Sequence, residues 1–257
     1  MENMLRITAD GLFEKCLLFI RDTLADSGTS AEIDGDGVNI KYTIDNEAFV
    51  QSIVRDTVAQ VVAVDMKSHY INTEIKLEVG DALKRFAFIR ALCSFDHEDD
   101  IAIARGILNL TPILNLDGFY NFCIAKLKKR WDEVCVLANG NLSSLAVGGA
   151  FDELLQFLYM NIEGSEEYLF LKCYDEGGSV VVLDRTMKRM PEYIGSGMCE
   201  AECVIAQIIM TAPRKVFILG TSDLFYEIED LFEGLVLFER LIIPINVHQE
   251  IRKNSRF

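Results

Sequence analysis

Lys215-Val216-Phe217-Ile218-Leu219 is followed by Gly220-Thr221-Ser222-Asp223, then by Leu224 to Phe232, then by Leu235-Val236-Leu237-Phe238. The first and last runs are apolar without alternation, the pattern of strands buried on both faces. The stretch between them has helical spacing. Strand, helix and strand in that order imply a right-handed crossover and a parallel pair. Upstream, Tyr168-Leu169-Phe170-Leu171-Lys172-Cys173-Tyr174 and Ser179-Val180-Val181-Val182-Leu183 read as two more strands, joined by the hairpin turn Asp175-Glu176-Gly177-Gly178. Glu200 to Thr211 reads as a helix stopped by Pro213. Residues 163–240 therefore form a small C-terminal α/β region, and 241–257, with Arg252, Lys253 and Arg256, reads as a tail.

Working back toward the N-terminus, the period changes. Residues 46–162 are predominantly helical. Phe49, Ile53, Val54, Val58, Val61 and Val62 make one apolar stripe, which Ile71, Ile75 and Leu77 continue. Leu83, Phe86, Phe88, Ile89 and Leu92 make another, and a third helix starts near Asp99 or Asp100. Residues 116–138 read as one helix with Phe119, Phe122, Cys123, Leu127, Trp131 and Val134 on its apolar side, before a looser stretch from Ala138 to Ser144. Another helix covers Phe151 to Asn161. Short connections make antiparallel packing of these helices the expected arrangement. Residues 1–45 form a small α/β segment. Leu5 to Ile7 reads as a strand and residues 10–27 as a helix. Val38, Ile40, Tyr42 and Ile44 alternate with polar residues after an Asp36-Gly37 turn. The whole reads as a mixed α/β or α+β chain: strand–helix–hairpin N-terminus, helical middle, and small C-terminal sheet.

Composition sets the bounds on function. At 257 residues and 50% hydrophobic, the chain can bury a sizeable core. Its net charge is −15, from 40 acidic and 25 basic residues, which opposes general nucleic-acid binding and favours basic partner surfaces. No basic leader with a long apolar stretch opens the sequence, and no apolar run approaches the ~20 residues of a membrane span. The seven cysteines are odd in number and scattered, mostly among apolar neighbours. That pattern suits buried thiols in a reducing cytoplasm better than a disulfide framework.

Few motifs carry chemistry. No P-loop, dinucleotide fingerprint or nucleophile elbow is present, and no cofactor is implied. Gly220, Thr221, Ser222 and Asp223 form the best ligand-binding candidate, because a turn from a buried strand into a helix can present free N–H groups to an anion. Ser222 or Asp223 also suits an ordinary helix cap. Cys199 and Cys203 would share a helix face, but two ligands do not make a zinc site, so no metal is expected. Asp96-His97-Glu98-Asp99-Asp100 reads as a solvated loop whose Asp99 or Asp100 caps the next helix. The Asp34/Asp36 pair lacks the spacing of a calcium loop. His69 falls in a helix and reads as structural. Lys128, Lys129 and Arg130 form the one basic cluster, a candidate surface for an acidic partner. Asp132 and Glu133 follow at once and offer helical ion pairs.

Three stretches carry a family resemblance. They are Leu116-Asp117-Gly118-Phe119-Tyr120-Asn121-Phe122 with the basic helix after it, the hairpin from Tyr168 to Asp184, and Ala201 to Leu219 with Thr211-Ala212-Pro213-Arg214-Lys215 inside it. Their order resembles the YtxC-like family of sporulation proteins from endospore-forming bacteria, over about two thirds of the chain. Cys123 stands where that family tends to have Arg. The resemblance implies a cytoplasmic protein linked to sporulation, and it brings no catalytic residue. The sequence reading is therefore a non-catalytic interaction or assembly protein, with a protein partner or self-association. The alternative is a small-ligand or phosphate-binding regulatory domain using Gly220 to Asp223.

Overall fold

The N-terminal residues alternate because they build a sheet with one buried face. β1 (Glu2–Thr8) pairs antiparallel with β3 (Gly37–Thr43), and β3 with β2 (Ser30–Asp34). Leu5 lies opposite Ile40 and Ile7 opposite Val38, and all four enter one hydrophobic core with Ile20 and Leu24 of α1 (Cys16–Asp26). The other face is polar. There Arg6 reaches Asp36 at 2.7 Å, Asp34 at 3.3 Å and Asn39 at 3.1 Å. These contacts raise the Arg6 pKa and hold the Asp36 carboxyl below its ordinary value. The hairpin turn sits one residue earlier than the sequence suggested. Gly35 takes φ 61°, a conformation that suits glycine, while Gly37 opens β3. A side chain at Gly37 would place its Cβ 2.8 Å from the Ile7 carbonyl oxygen, so the close approach of β1 and β3 requires glycine there.

The computed structural model describes residues 2–75, 82–141, 150–161, 166–173, 179–190 and 198–241. The hairpin turn at 175–178, the Gly195-Ser196-Gly197 loop and the tail from 242 lie outside them. The chain divides into two compact units, one of Met1–Leu77 and Leu92–Ser143, the other of Glu78–Ala91 and Ser144–Phe257. Helices of the 46–162 stretch fall in both. The fold is mixed α+β with two four-stranded mixed sheets.

In the first unit the sheet order is β2-β3-β1-β4. β4 (Ile113–Asn115) runs parallel to β1 and is too short to show alternation in sequence. α2 (Glu47–Val61) passes into a π turn (Val62–Met66) and then into α3 (Lys67–Glu74). Its buried stripe is Val50, Val54, Val58 and Val62, so Phe49, expected in the core, lies one position off it and is 58% exposed. α5 (His97–Ile107) starts two residues before the position expected. The helix expected over 116–138 is two helices, α6 (Leu116–Phe122) and α7 (Ala125–Asn141). The Asn115 side chain caps α6 by accepting the Gly118 N–H at 2.6 Å. Leu116, Tyr120, Ile124, Leu127 and Trp131 are all buried, and their spacing of three and four runs across the break. Phe122 and Cys123, expected on the apolar side, face outward. α7 continues through Ala138 to Gly140, where a looser stretch was expected.

In the second unit the order is β6-β5-β7-β8. β5 (Tyr168–Cys173) and β6 (Val180–Leu183) are antiparallel; β5–β7 and β7–β8 are parallel. α9 (Glu200–Thr211) precedes β7 (Lys215–Leu219), and α10 (Asp223–Leu231) joins β7 to its parallel neighbour β8 (Leu237–Leu241). The expected crossover pair is present. β8, however, begins two residues later than expected, and it is the sheet edge. Leu237 is 63% exposed there, so this strand is not buried on both faces. Leu169, Leu171, Val216 and Ile218 join Phe225, Ile228, Phe232 and Leu155 and Leu158 of α8 (Ala150–Asn161) in the core, together with Leu83 and Ala87 from the start of α4 (Ala82–Ser94). On the opposite face of the sheet Phe170 stacks on Phe217 at 5.1 Å between centroids.

Candidate functional site

The break in α-helical phase between α2 and α3 positions the most unusual group in the protein. One buried row runs Val50, Val54, Val58 and Val62, the first residue of the π turn; Ala63 and Met66 are buried within the turn, and Lys67, Ile71 and Ile75 form the buried row after it. The step from Val62 to Lys67 is five residues instead of four, so the π turn rotates the following helix by one position. π turns of this kind recur at functional sites. The consequence here is that a lysine occupies a core position.

Lys67 is wholly buried, and its ammonium meets Asp100 of α5, also wholly buried, at 2.7 Å. Lys67 also donates to the Phe95 carbonyl. The indole N–H of Trp131 donates to the same Asp100 oxygen at 2.9 Å. The second oxygen, Asp100 Oδ1, lies 3.5 Å from Arg130 Nε. Neither of those two atoms has a hydrogen-bond partner among the described residues, and at that separation the contact is ionic rather than a directed bond. Asp100 was expected to cap the helix from a solvated loop. It lies inside α5 instead, because a carboxylate there neutralises the buried ammonium. The turn that leads in is tight: Asp96 takes φ 52°.

The basic cluster read from the sequence is divided by this arrangement. Arg130 reaches Asp96 at 3.3 Å and Asp99 at 3.4 Å as well as Asp100. Its acidic partners come from α5 and the turn before it, not from the adjacent Asp132, which accepts the Tyr70 hydroxyl at 2.6 Å. Lys128 lies over the Tyr120 ring at 3.8 Å, and burial lowers its pKa. Only Lys129 of the three is exposed. His69 stands edge-on to Phe13 at 5.8 Å and to Tyr120 at 5.5 Å, a packing role.

Beside the π turn lies a half-open surface pocket of about 350 Å³. Lys15, Cys16 and Phe19 line it from α1 and its N-terminal edge, Gln60 from α2, Val64 and Asp65 from the π turn, and His97 from α5. Burial pushes the Cys16 thiol up to about 12, and the nearby Asp65 charge and its hydrogen bond add to the shift. Cys16 is therefore a protonated, apolar wall and not a nucleophile at neutral pH. Two consequences can be measured. Between about pH 9 and 12 the unfolded chain loses the Cys16 proton while the folded chain keeps it, so stability falls as pH rises through that window. At pH 8 a thiol reagent such as Ellman's reagent reacts rapidly with the exposed Cys123 and Cys199, and reacts with the buried Cys16, Cys93 and Cys135 only on unfolding. Equal rates at Cys16 and Cys199 by peptide mapping would contradict the burial. The general expectation of buried thiols holds for Cys16, Cys93 and Cys135 and fails for Cys123 and Cys199.

Gly220 to Asp223 lies at the C-terminal end of β7, where it was expected. Gly220 takes φ 98°, and a Cβ there would meet Cys173 at 3.4 Å. Ser222 is the cap residue of α10, but its hydroxyl makes no capping bond. Thr221 and Asp223 are exposed. Asp223 occupies the first turn of α10, so its carboxylate already faces the positive end of the helix dipole and competes with an incoming anion. Cys199 is the cap residue of α9, where its N–H donates to Glu202 at 2.7 Å. Among the described residues no group of three or more His, Cys, Asp or Glu side chains could hold a metal ion, and no helix is long and apolar enough to cross a membrane.

No protein-family model, curated protein or solved structure matches this chain.

Proposed function

We propose that this chain is a non-catalytic interaction protein that binds an acidic, partly apolar segment of another protein along the outer face of α7, with sporulation as the process it serves. The observation that carries this is the solvent face of that helix together with Phe122, the last residue of α6. Phe122 is 85% exposed, Val136 70% and Leu137 69%. Between these apolar ends lie Lys126, Lys129 and Glu133, all exposed and spaced by three or four residues. In a chain of net charge −15, a helix face with two exposed lysines between large apolar side chains selects a partner of opposite pattern. The sporulation setting comes from the order of sequence features in 116–130, 168–184 and 201–219.

The test places a photo-crosslinking amino acid at Val136 in the full chain. The protein is expressed in an endospore-forming host, and crosslinks are mapped through growth and sporulation. The expected result is one adduct whose peptide is acidic and which disappears when Lys126→Glu and Lys129→Glu are introduced together. Charge reversal at two exposed sites should reduce affinity by about tenfold or more while circular dichroism stays unchanged. An adduct that survives the charge reversal, or no adduct at any stage, would refute the reading.

A further inference from the structure

We propose that Asp96 and Asp99 make an autoinhibitory contact with the α7 face: they hold Arg130 in the place of a partner's carboxylates, and an acidic segment takes Arg130 from them as it docks. This rests on the α7 face as the docking site. Lys126, Arg130, Glu133 and Leu137 follow one another at spacings of four, three and four residues along α7. Arg130 therefore belongs to the same stripe as an exposed lysine and an exposed apolar side chain. Its guanidinium is engaged by α5 and the residue before it. Nη2 lies 3.3 Å from Asp96 and 3.4 Å from Asp99, and Nε lies 3.5 Å from Asp100.

The three acids are not equivalent. Asp100 is 1% exposed and is committed to Lys67 and Trp131, so it is the fixed member. Asp96 and Asp99 are 60% and 72% exposed. Ion pairs with that much solvent around them are weak, and both contacts are longer than the about 2.7–2.9 Å of a strong charge-assisted bond. They are the displaceable members. Releasing Arg130 strands neither acid. Both stay hydrated, and both stand at the N-terminal end of α5, where the helix dipole favours a carboxylate. The released guanidinium offers a fork of N–H donors that matches an incoming carboxylate. While Arg130 is held, the face shows Lys126 and Lys129 beside Glu133; on release it gains a third cation, which an acidic segment selects.

Fluorescence anisotropy of the full chain with the fluorescein-labelled peptide Leu-Leu-Glu-Glu-Glu-Ala-Glu-Glu-Leu-Leu tests this. The variants are Asp96→Asn with Asp99→Asn, Arg130→Gln alone, and all three changes together. Asparagine keeps the shape and tolerates the φ of 52° at position 96, so the turn is preserved. Arg130→Met stands in for Arg130→Gln if circular dichroism shows that the latter loses helix. The expected result is that the two Asp→Asn changes tighten peptide binding by about fivefold or more when Arg130 is present, and by no more than about twofold when it is replaced. Equal tightening in both backgrounds would mean that the acids act only as bulk charge, and would overturn the proposal. Unchanged binding with Arg130 present would overturn it as well. Lys126→Glu with Lys129→Glu then separates the two proposals: if that pair still abolishes binding, the α7 face stands and only the autoinhibitory contact falls. No binding of the peptide by any of these chains would overturn both.

Discussion

Asp100→Asn should lower the unfolding free energy by about 3–5 kcal/mol, the largest loss expected from any single isosteric change in the first unit. The substitution keeps the shape and can still accept the Trp131 indole N–H. What it removes is the charge that neutralises Lys67, whose side chain is only 1% exposed. An ammonium left in that position has only neutral acceptors, the Phe95 carbonyl and the oxygen of the substituted amide, and neither cancels a charge buried so completely. Lys67→Met should cost less than Asp100→Asn, because Asp100 keeps Arg130 at 3.5 Å and the Trp131 bond. The double variant Lys67→Met, Asp100→Leu should recover most of the loss, since apolar replacement of a buried pair is often neutral or better. Denaturant unfolding with a constant m-value gives the three differences. A loss below about 1 kcal/mol for Asp100→Asn would mean that the pair is solvated, because surface ion pairs are worth no more than that.

That pair also marks the limit of what the sequence discloses. The strands and helices of the second unit are legible because each has one dominant signal: uninterrupted apolar runs at Leu169 and Val216, and helical spacing from Val204 to Ile209 with Pro213 soon after it. The partner choice of charged residues has no such signal. Lys67 looks like a surface lysine until its phase is compared with Ile71 and Ile75, four and eight residues on. Placed against the earlier stripe ending at Val62, that set is one residue late, and the slip is the trace of the π turn in the sequence. Asp100 gave the opposite impression, because four neighbouring polar residues made its stretch look solvated. The break at Cys123 and Ile124 was hidden for a geometric reason. The buried residues Leu116, Tyr120, Ile124, Leu127 and Trp131 stay three or four apart across it, so periodicity runs through it. The surface pocket beside the π turn was not legible at all, since its lining comes from Lys15, Cys16, Phe19, Gln60, Val64, Asp65 and His97 and only the tertiary fold brings them together.

Phe225→Ala should destabilise the second unit by about 3–5 kcal/mol, the range for removing a buried phenylalanine. Phe225 is fully buried in the first turn of α10, and it packs in the same core as Val216, Ile218, Ile228 and Phe232. Its backbone N–H also returns to the Ser222 carbonyl at 3.2 Å, so the ring and the turn are positioned by the same residue. Phe225→Leu fills most of the space and should cost about 1–1.5 kcal/mol. The pair of variants separates packing from the turn. If loss of volume dominates, the leucine variant restores both stability and the amide-exchange protection of β7. If the ring instead holds the Gly220 to Asp223 turn in place, the leucine variant keeps the stability but leaves the Thr221 and Asp223 amides exchanging faster than in the wild type. The first outcome is expected, because the turn has its own backbone constraints in the positive φ of Gly220 and its contact with Cys173. The second would make α10 the element that orders the turn, and it would restore weight to that turn as a ligand site whose geometry depends on the core beneath it.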